Sequence, residues 1–153
     1  MFTGYIGAYP CLTKTAFETR ENLEHFKGRQ VIEYMYSDGA YEIDLACRNL
    51  WIPHDTSEAG EPQGNGIAER QVQEVKQATI ANLAQAGLPH RYWHMAMKHA
   101  QTGLNIAKPG WGCSSAWEER HRAPFYGLHV PFGALVKFIP NKTSNMWGDI
   151  RPL

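Results

Sequence analysis

A layered α/β domain is the architecture the sequence predicts, and three observations predict it. Stretches rich in β-branched and aromatic residues alternate with stretches of helical periodicity. Gly, Pro and capping residues stand at their junctions. The resulting order is strand, helix, strand, helix, strand, helix, helix, which favours helices packed on a sheet.

The first strand is expected over Phe2 to Tyr9, loosely alternating and closed by Pro10. Thr15 and Glu18 have the spacing of a capping box. Ala16, Thr19, Leu23 and Phe26 follow at helical intervals up to Gly28, which ends the helix. "VIEYMYS" reads as a second strand stopped by Asp38-Gly39. Ile43, Ala46, Cys47 and Leu50 mark a short helix, and Trp51-Ile52 opens a short strand before Pro53. A polar loop runs from Asp55 to Gly66. The longest helix then extends from about Asn65–Ile67 to Ala86, with Ala68, Val72, Val75, Thr79, Leu83 and Ala86 in one apolar stripe. Pro89 opens the next helix, whose buried face is expected to carry Trp93, Ala96, Ala100 and Leu104. A helical piece at Trp117 to Arg120 and a strand at "FGALVKFIP" complete the pattern. No internal repeat or low-complexity tract interrupts it.

Bulk properties set the outer bounds. The 153 residues suffice for one domain with a core, and 43% hydrophobic with 12% aromatic content argues against disorder. No apolar run approaches the ~18 residues of a membrane span, and no basic stretch precedes the N-terminal apolar residues, so neither a membrane partner nor a secretory signal is expected. Cys11, Cys47 and Cys113 are odd in number and widely spaced, which predicts free structural thiols in a reducing intracellular compartment. Net charge is zero, but its distribution is uneven: residues 1–60 hold five basic against nine acidic side chains, and residues 61–153 hold ten against six. The basic half could face phosphates; solvated surface charge explains it equally well.

Two carboxylates stand out by placement. Asp38 ends a strand, where open α/β sheets put their sites. Glu69 lies in the first turn of the long helix, where the dipole favours the ionised form. Each also has a plain structural reading, since Asp-Gly is a common turn and Glu a common first-turn residue. His90 and His94 have the four-residue spacing of metal ligands, with His99 on the same helix. No further ligand or general base accompanies them, so surface or packing roles are expected. Trp93, Trp117 and Cys47 are read as core, and Glu42 and Asp44 as local structure.

"YSDGAYEI" together with "HDTSEAGEPQGNGIAER" resembles the catalytic core of retroviral and retrotransposon integrases, the Copia type above all. In that family a strand-ending Asp before Gly, and a later Pro-Gln-x-Asn-Gly-x-x-Glu-Arg, carry the second and third acids of a DDE triad. The matching residues here are Asp38 and Glu69. "AGLPHRYWHMAMKHAQTGLN" resembles the family's Leu-Pro…Trp…Ala…Asn helix, and "HVPFGALVKF" continues the likeness. The resemblance implies an RNase H-like fold acting on DNA by 3′-processing and strand transfer, with Mg²⁺ (or Mn²⁺) held by carboxylates. It further implies DNA-facing roles for Gly64, Asn65, Arg70, Gln73 and Lys76, a possible homo-oligomer, no small-molecule substrate, and a nuclear or virus-like-particle setting.

The chain departs from the family pattern in ways that matter physically. No Asp precedes Asp38, and "TGYIGAYP" resembles the family's third strand. The expectation is therefore a partial catalytic core over 1–108, lacking the first two strands and the first triad Asp. Residues 109–153 are expected to form a linker and the start of a C-terminal β extension. Two carboxylates alone should bind a single cation weakly, and the isolated chain is expected to be inactive and marginally stable. The alternative is a non-catalytic remnant that binds nucleic acid or protein; a product without function is a third reading.

Overall fold

A computed structural model describes residues 3–56, 66–107 and 114–137. Among these residues the sheet has two strands, β1 (Met35–Ser37) and β2 (His54–Thr56). They run parallel in the register Met35–His54, Tyr36–Asp55 and Ser37–Thr56. Helix α2 (Tyr41–Asn49) connects them and buries Ala46 and Cys47 completely. The Cys47 thiol lies 3.3 Å from the Met35 sulfur, tying the helix to β1. Glu42 and Asp44 in its first turn and Arg48 in its last complement the helix dipole.

Helix α1 (Ala16–Lys27) packs on α2. Thr15 caps it, its hydroxyl accepting the Glu18 N–H at 3.3 Å, and Gly28 ends it at φ +57. The Glu18 carboxylate completes no box with Thr15. It accepts the Thr13 N–H instead, at 3.1 Å.

The second layer is an antiparallel-type helix hairpin. Helix α3 (Gly66–Ala86) ends before Gly87, whose φ is +63, and a 3-10 turn at His90–Tyr92 leads into α4 (Trp93–Ala107). Val75, Thr79 and Leu83 of α3 face Ala96 and Ala100 of α4, whose small side chains allow close approach. The short helix α5 (Ala116–His121) carries a complete capping box between Ser115 and Glu118. Beyond α5, Val130 and Gly133 lie against the hairpin: the Val130 carbonyl is 2.8 Å from His99 Nε2, and Gly133 abuts Ala86 so closely that a Cβ would sit 2.5 Å from the alanine's own.

Several expected elements differ. Residues 3–10 form no strand, because no strand lies beside them among the described residues. Side-chain amides of α4 take the place of a ladder. Asn105 Oδ1 accepts the Ile6 N–H at 2.8 Å, its Nδ2 donates to the Ile6 carbonyl at 2.8 Å, and Gln101 Oε1 accepts the Ala8 N–H at 2.9 Å. "VIEYMYS" pairs only over its last three residues, where β2 is within reach. The strand expected at Trp51-Ile52 lies after Pro53 instead. Trp51 takes φ +56 as the chain leaves α2, which turns it out of line for pairing. Residues 132–137 form no strand, and the rest of "FGALVKFIP" lies outside the described residues.

The core is built largely of small residues. Ile6, Ala46, Cys47, Ile52, Val75, Leu83, Ala96, Ala100 and Ala116 are its buried apolar members among the described residues. The apolar stripe of α3 is buried only in part: Ala68 and Val72 are exposed, since α4 covers the helix beyond its first two turns. Trp93, expected in the core, is 42% exposed at the start of α4. Trp117 is half-buried and packs on Tyr5, His121 and Phe125.

Candidate functional site

The site begins where β1 stops. Gly39 takes φ +77, a conformation that L side chains rarely adopt, and this lets the chain turn from β1 into α2 within three residues. Asp38 sits at the head of that turn, exposed, with its Oδ1 accepting the Ala40 N–H in a long contact of 3.4 Å. Its outer carboxylate oxygen, Oδ2, makes no bond to a described residue. Lys14 reaches the neighbourhood from the segment before α1 and pairs with Glu42 at 2.8 Å. The hydrogen bond from Lys14 holds the Glu42 carboxyl below the usual carboxylate range, and Glu42 in turn raises the lysine, with a smaller contribution from Asp38.

Beneath this turn lies a polar chain. Ser37 Oγ accepts the Gly39 N–H at 3.3 Å and lies 2.9 Å from His54 Nε2. His54 Nδ1 is 3.5 Å from Asp44 Oδ1, and Asp44 Oδ2 is 2.7 Å from Arg48 Nη2. The His54 side chain is only 5% exposed. The expectation of local structural roles for Glu42 and Asp44 agrees with these contacts. His54 was not singled out in the sequence, because only the parallel register of β1 and β2 sets it beside Ser37.

Glu69 occupies the first turn of α3 and is exposed, as are Arg70, Gln73 and Lys76. Gly64 and Asn65 lie outside the described residues. Arg70, Gln73 and Lys76 leave a polar flank open to solvent along the start of the helix. No hydrogen bond or ion pair among the described residues joins Asp38 to Glu69. Nor do the described residues hold a cluster of three or more His, Cys, Asp or Glu side chains that could bind a metal ion. The chemistry of the two carboxylates suits a hard divalent cation, with oxygen donors exposed and, among the described residues, no ion pair at either. A three-carboxylate set is not among the described residues, so no step using paired metals follows from this geometry.

His94 and His99 of α4 have packing roles, whereas His90 lies in the 3-10 turn before the helix. His99 donates from Nε2 to the Val130 carbonyl and accepts from Asn82 Nδ2 at 3.2 Å, which uses both ring nitrogens. His94 meets Trp93 edge-on, and His90 is exposed.

No family model matches the chain. Over an alignment of 151 residues it is 28% identical to the retrovirus-related Pol polyprotein from transposon RE1 of Arabidopsis thaliana, which covers 92% of this chain. The same alignment covers 9% of that polyprotein, so the chain spans a small part of its relative's length. In structure it is similar to the catalytic core domain of BIV integrase, with a TM-score of 0.58 and 22% identity, covering 78% of this chain and 80% of that one. The two comparisons agree in kind: the sequence is similar to part of a retrotransposon Pol polyprotein, and the fold is that of an RNase H-like integrase catalytic core.

Proposed function

We propose that this chain derives from a Copia-type integrase whose activity is Mg²⁺-dependent 3′-processing and strand transfer on DNA, and that the chain alone does not catalyse either step. The observation that carries the reading is the placement of Asp38 at the end of β1 and Glu69 in the first turn of α3, both exposed. These are the positions that match the second and third acids of a DDE triad. Asp38 and Glu69 would hold one divalent cation, Mg²⁺ or Mn²⁺. When bound, such an ion polarises a phosphoryl oxygen and lowers the pKa of a coordinated water.

The chain's own residues then have defined tasks. Arg70 and Lys76, with Gln73 between them, would fix the sugar-phosphate backbone against the start of α3. Gly64 and Gly66 would let the backbone turn tightly beside DNA, and Asn65 would cap the helix or contact the nucleic acid. Glu69, exposed in the first turn of α3, leaves its carboxylate open to a cation. The two acids of these 153 residues that match the family's triad are Asp38 and Glu69. Two carboxylates hold one ion loosely and cannot clamp both attacking and leaving oxygens. By family likeness the partners are DNA and further integrase copies, in the nucleus or a virus-like particle.

The test is a strand-transfer assay with a DNA end substrate in Mg²⁺ and in Mn²⁺. The reading predicts salt-sensitive DNA binding without strand transfer; robust joining by this chain would refute the claim of inactivity. A second reading, a non-catalytic DNA-binding remnant, is favoured by the exposed Arg70, Gln73 and Lys76 beside an incomplete ligand set. DNA affinity that survives both Asp38→Asn and Glu69→Gln unchanged, with cation binding absent from the parent chain, would select it.

A further inference from the structure

We propose that His54 is a positioning residue for Asp38, acting through Ser37 to set the turn that presents the carboxylate to a divalent cation. This rests on the reading of Asp38 as a cation ligand. For a neutral imidazole the geometry allows one consistent direction of donors through the polar chain. The Gly39 N–H points to Ser37 Oγ, so the Ser37 hydroxyl is free to donate its own proton to His54 Nε2. The other ring nitrogen, Nδ1, then carries the proton and faces the Asp44 carboxylate, which Arg48 holds from its far side. For the neutral ring, every link is satisfied only in the Nδ1–H tautomer.

The chain matters because of what it grips. Ser37 and Gly39 flank Asp38, and both are tied into it: Ser37 through its side chain, Gly39 through its backbone N–H. Thr56 closes the other side, paired with Ser37 across the sheet and 3.4 Å from where a Cβ on Gly39 would lie. Among the described residues, Asp38 itself has only the long Ala40 contact to orient it. Its direction is therefore set mainly by its neighbours, and theirs by a nearly buried histidine. The ring also links β1 to α2, because Ser37 is the last residue of β1 and Asp44 lies in the first turn of α2. A cation ligand held this way starts closer to its bound geometry and loses less conformational freedom on binding.

The experiment is a titration of the full chain with Mn²⁺ alone, on the parent, Ser37→Ala, His54→Leu, the double variant, His54→Gln and Asp38→Asn. Nitrogen-15 spectra of the His54 ring and thermal melts accompany it. Ser37→Ala and His54→Leu should each weaken Mn²⁺ binding by about 10-fold, and the double variant by no more than either alone, because both break one chain. His54→Gln, whose amide keeps one acceptor and one donor, should recover most of the affinity. The parent's ring should show protonated Nδ1 and unprotonated Nε2. Unchanged Mn²⁺ affinity in a folded Ser37→Ala or His54→Leu variant overturns the proposal, as does a ring protonated at Nε2. Additive losses that merely follow the melting temperature also overturn it, since they would mark a general structural role. If Asp38→Asn leaves Mn²⁺ affinity untouched, the cation reading itself has failed and the positioning role falls with it. The ring spectrum reports separately whether the clamp exists.

Discussion

Replacing Asn105 with Leu should be among the most damaging single changes to this fold, although Asn105 touches neither candidate carboxylate. The side chain is 1% exposed and forms two hydrogen bonds of 2.8 Å to the backbone of Ile6, itself 7% exposed. Leu has similar volume, so the cavity cost is small and the loss is polar. Each orphaned buried backbone group costs roughly 1–3 kcal/mol, and two are orphaned here, so roughly 2–6 kcal/mol is at stake. The segment has an escape route: residues 3–9 can leave α4 and hydrate, which limits the loss to the free energy of docking that segment. Urea unfolding followed by circular dichroism reads the first quantity, and amide exchange at Ile6 and Ala8 reads the second. The predicted result is a loss of about 2–4 kcal/mol, with exchange at Ile6 accelerated well beyond that at Val75 in α3. A loss under ~1 kcal/mol, with Ile6 still protected, would refute the claim that an amide substitutes for a strand. Gln101→Ala, which removes one bond to a half-buried partner, should cost about 1 kcal/mol or less.

Gly39→Ala should cost about 1–2 kcal/mol from the left-handed backbone alone and should also weaken cation binding, since φ is +77 and Thr56 stands at contact distance; equal urea midpoints for the two proteins would contradict this. Acid should weaken the fold through the Lys14–Glu42 pair. The folded-state pKa of Glu42 lies below its ordinary 4.5, so its contribution is present above that value and disappears as pH falls through the lowered one. Glu42→Gln should therefore flatten the dependence of the urea midpoint between ~pH 5 and ~pH 3. Among the described cysteines, exposed Cys11 should react with a thiol reagent at neutral pH, whereas Cys47, fully buried and with its thiol pushed up by burial, should react only on unfolding. Mass mapping of the labelled peptides decides this.

Local signals were legible where chemistry is local. The Thr15 cap, Gly28 and Gly87 as stops, the span of α3 and the helical turn that follows Pro89 all follow from propensity and capping, which depend on neighbours in sequence, although that turn is 3-10 and α4 itself begins at Trp93. Strands were less legible because a strand exists only where another backbone meets it. Residues 3–10 carry strand composition and find only the amides of Asn105 and Gln101. The last three residues of "VIEYMYS" alone find β2. Burial along α3 differs for a related reason, since a periodic stripe reports which face is apolar and not how far a partner helix extends. At the site, Asp38 and Glu69 were visible through the turn, the helix start and the surrounding motif. Asn105 stood within a quoted motif without its role being apparent. His54 was invisible because its significance arises from pairing across seventeen residues with Ser37.

The decisive property is that Asp38 and Glu69 hold the same cation. Paramagnetic broadening measured during a Mn²⁺ titration of the isotopically labelled chain tests that most directly. Resonances of both Asp38 and Glu69 should broaden together at the same low metal ratio, and Mg²⁺ should reverse the effect. Broadening confined to one of them, or appearing first at unrelated surface carboxylates such as Glu118, would contradict it.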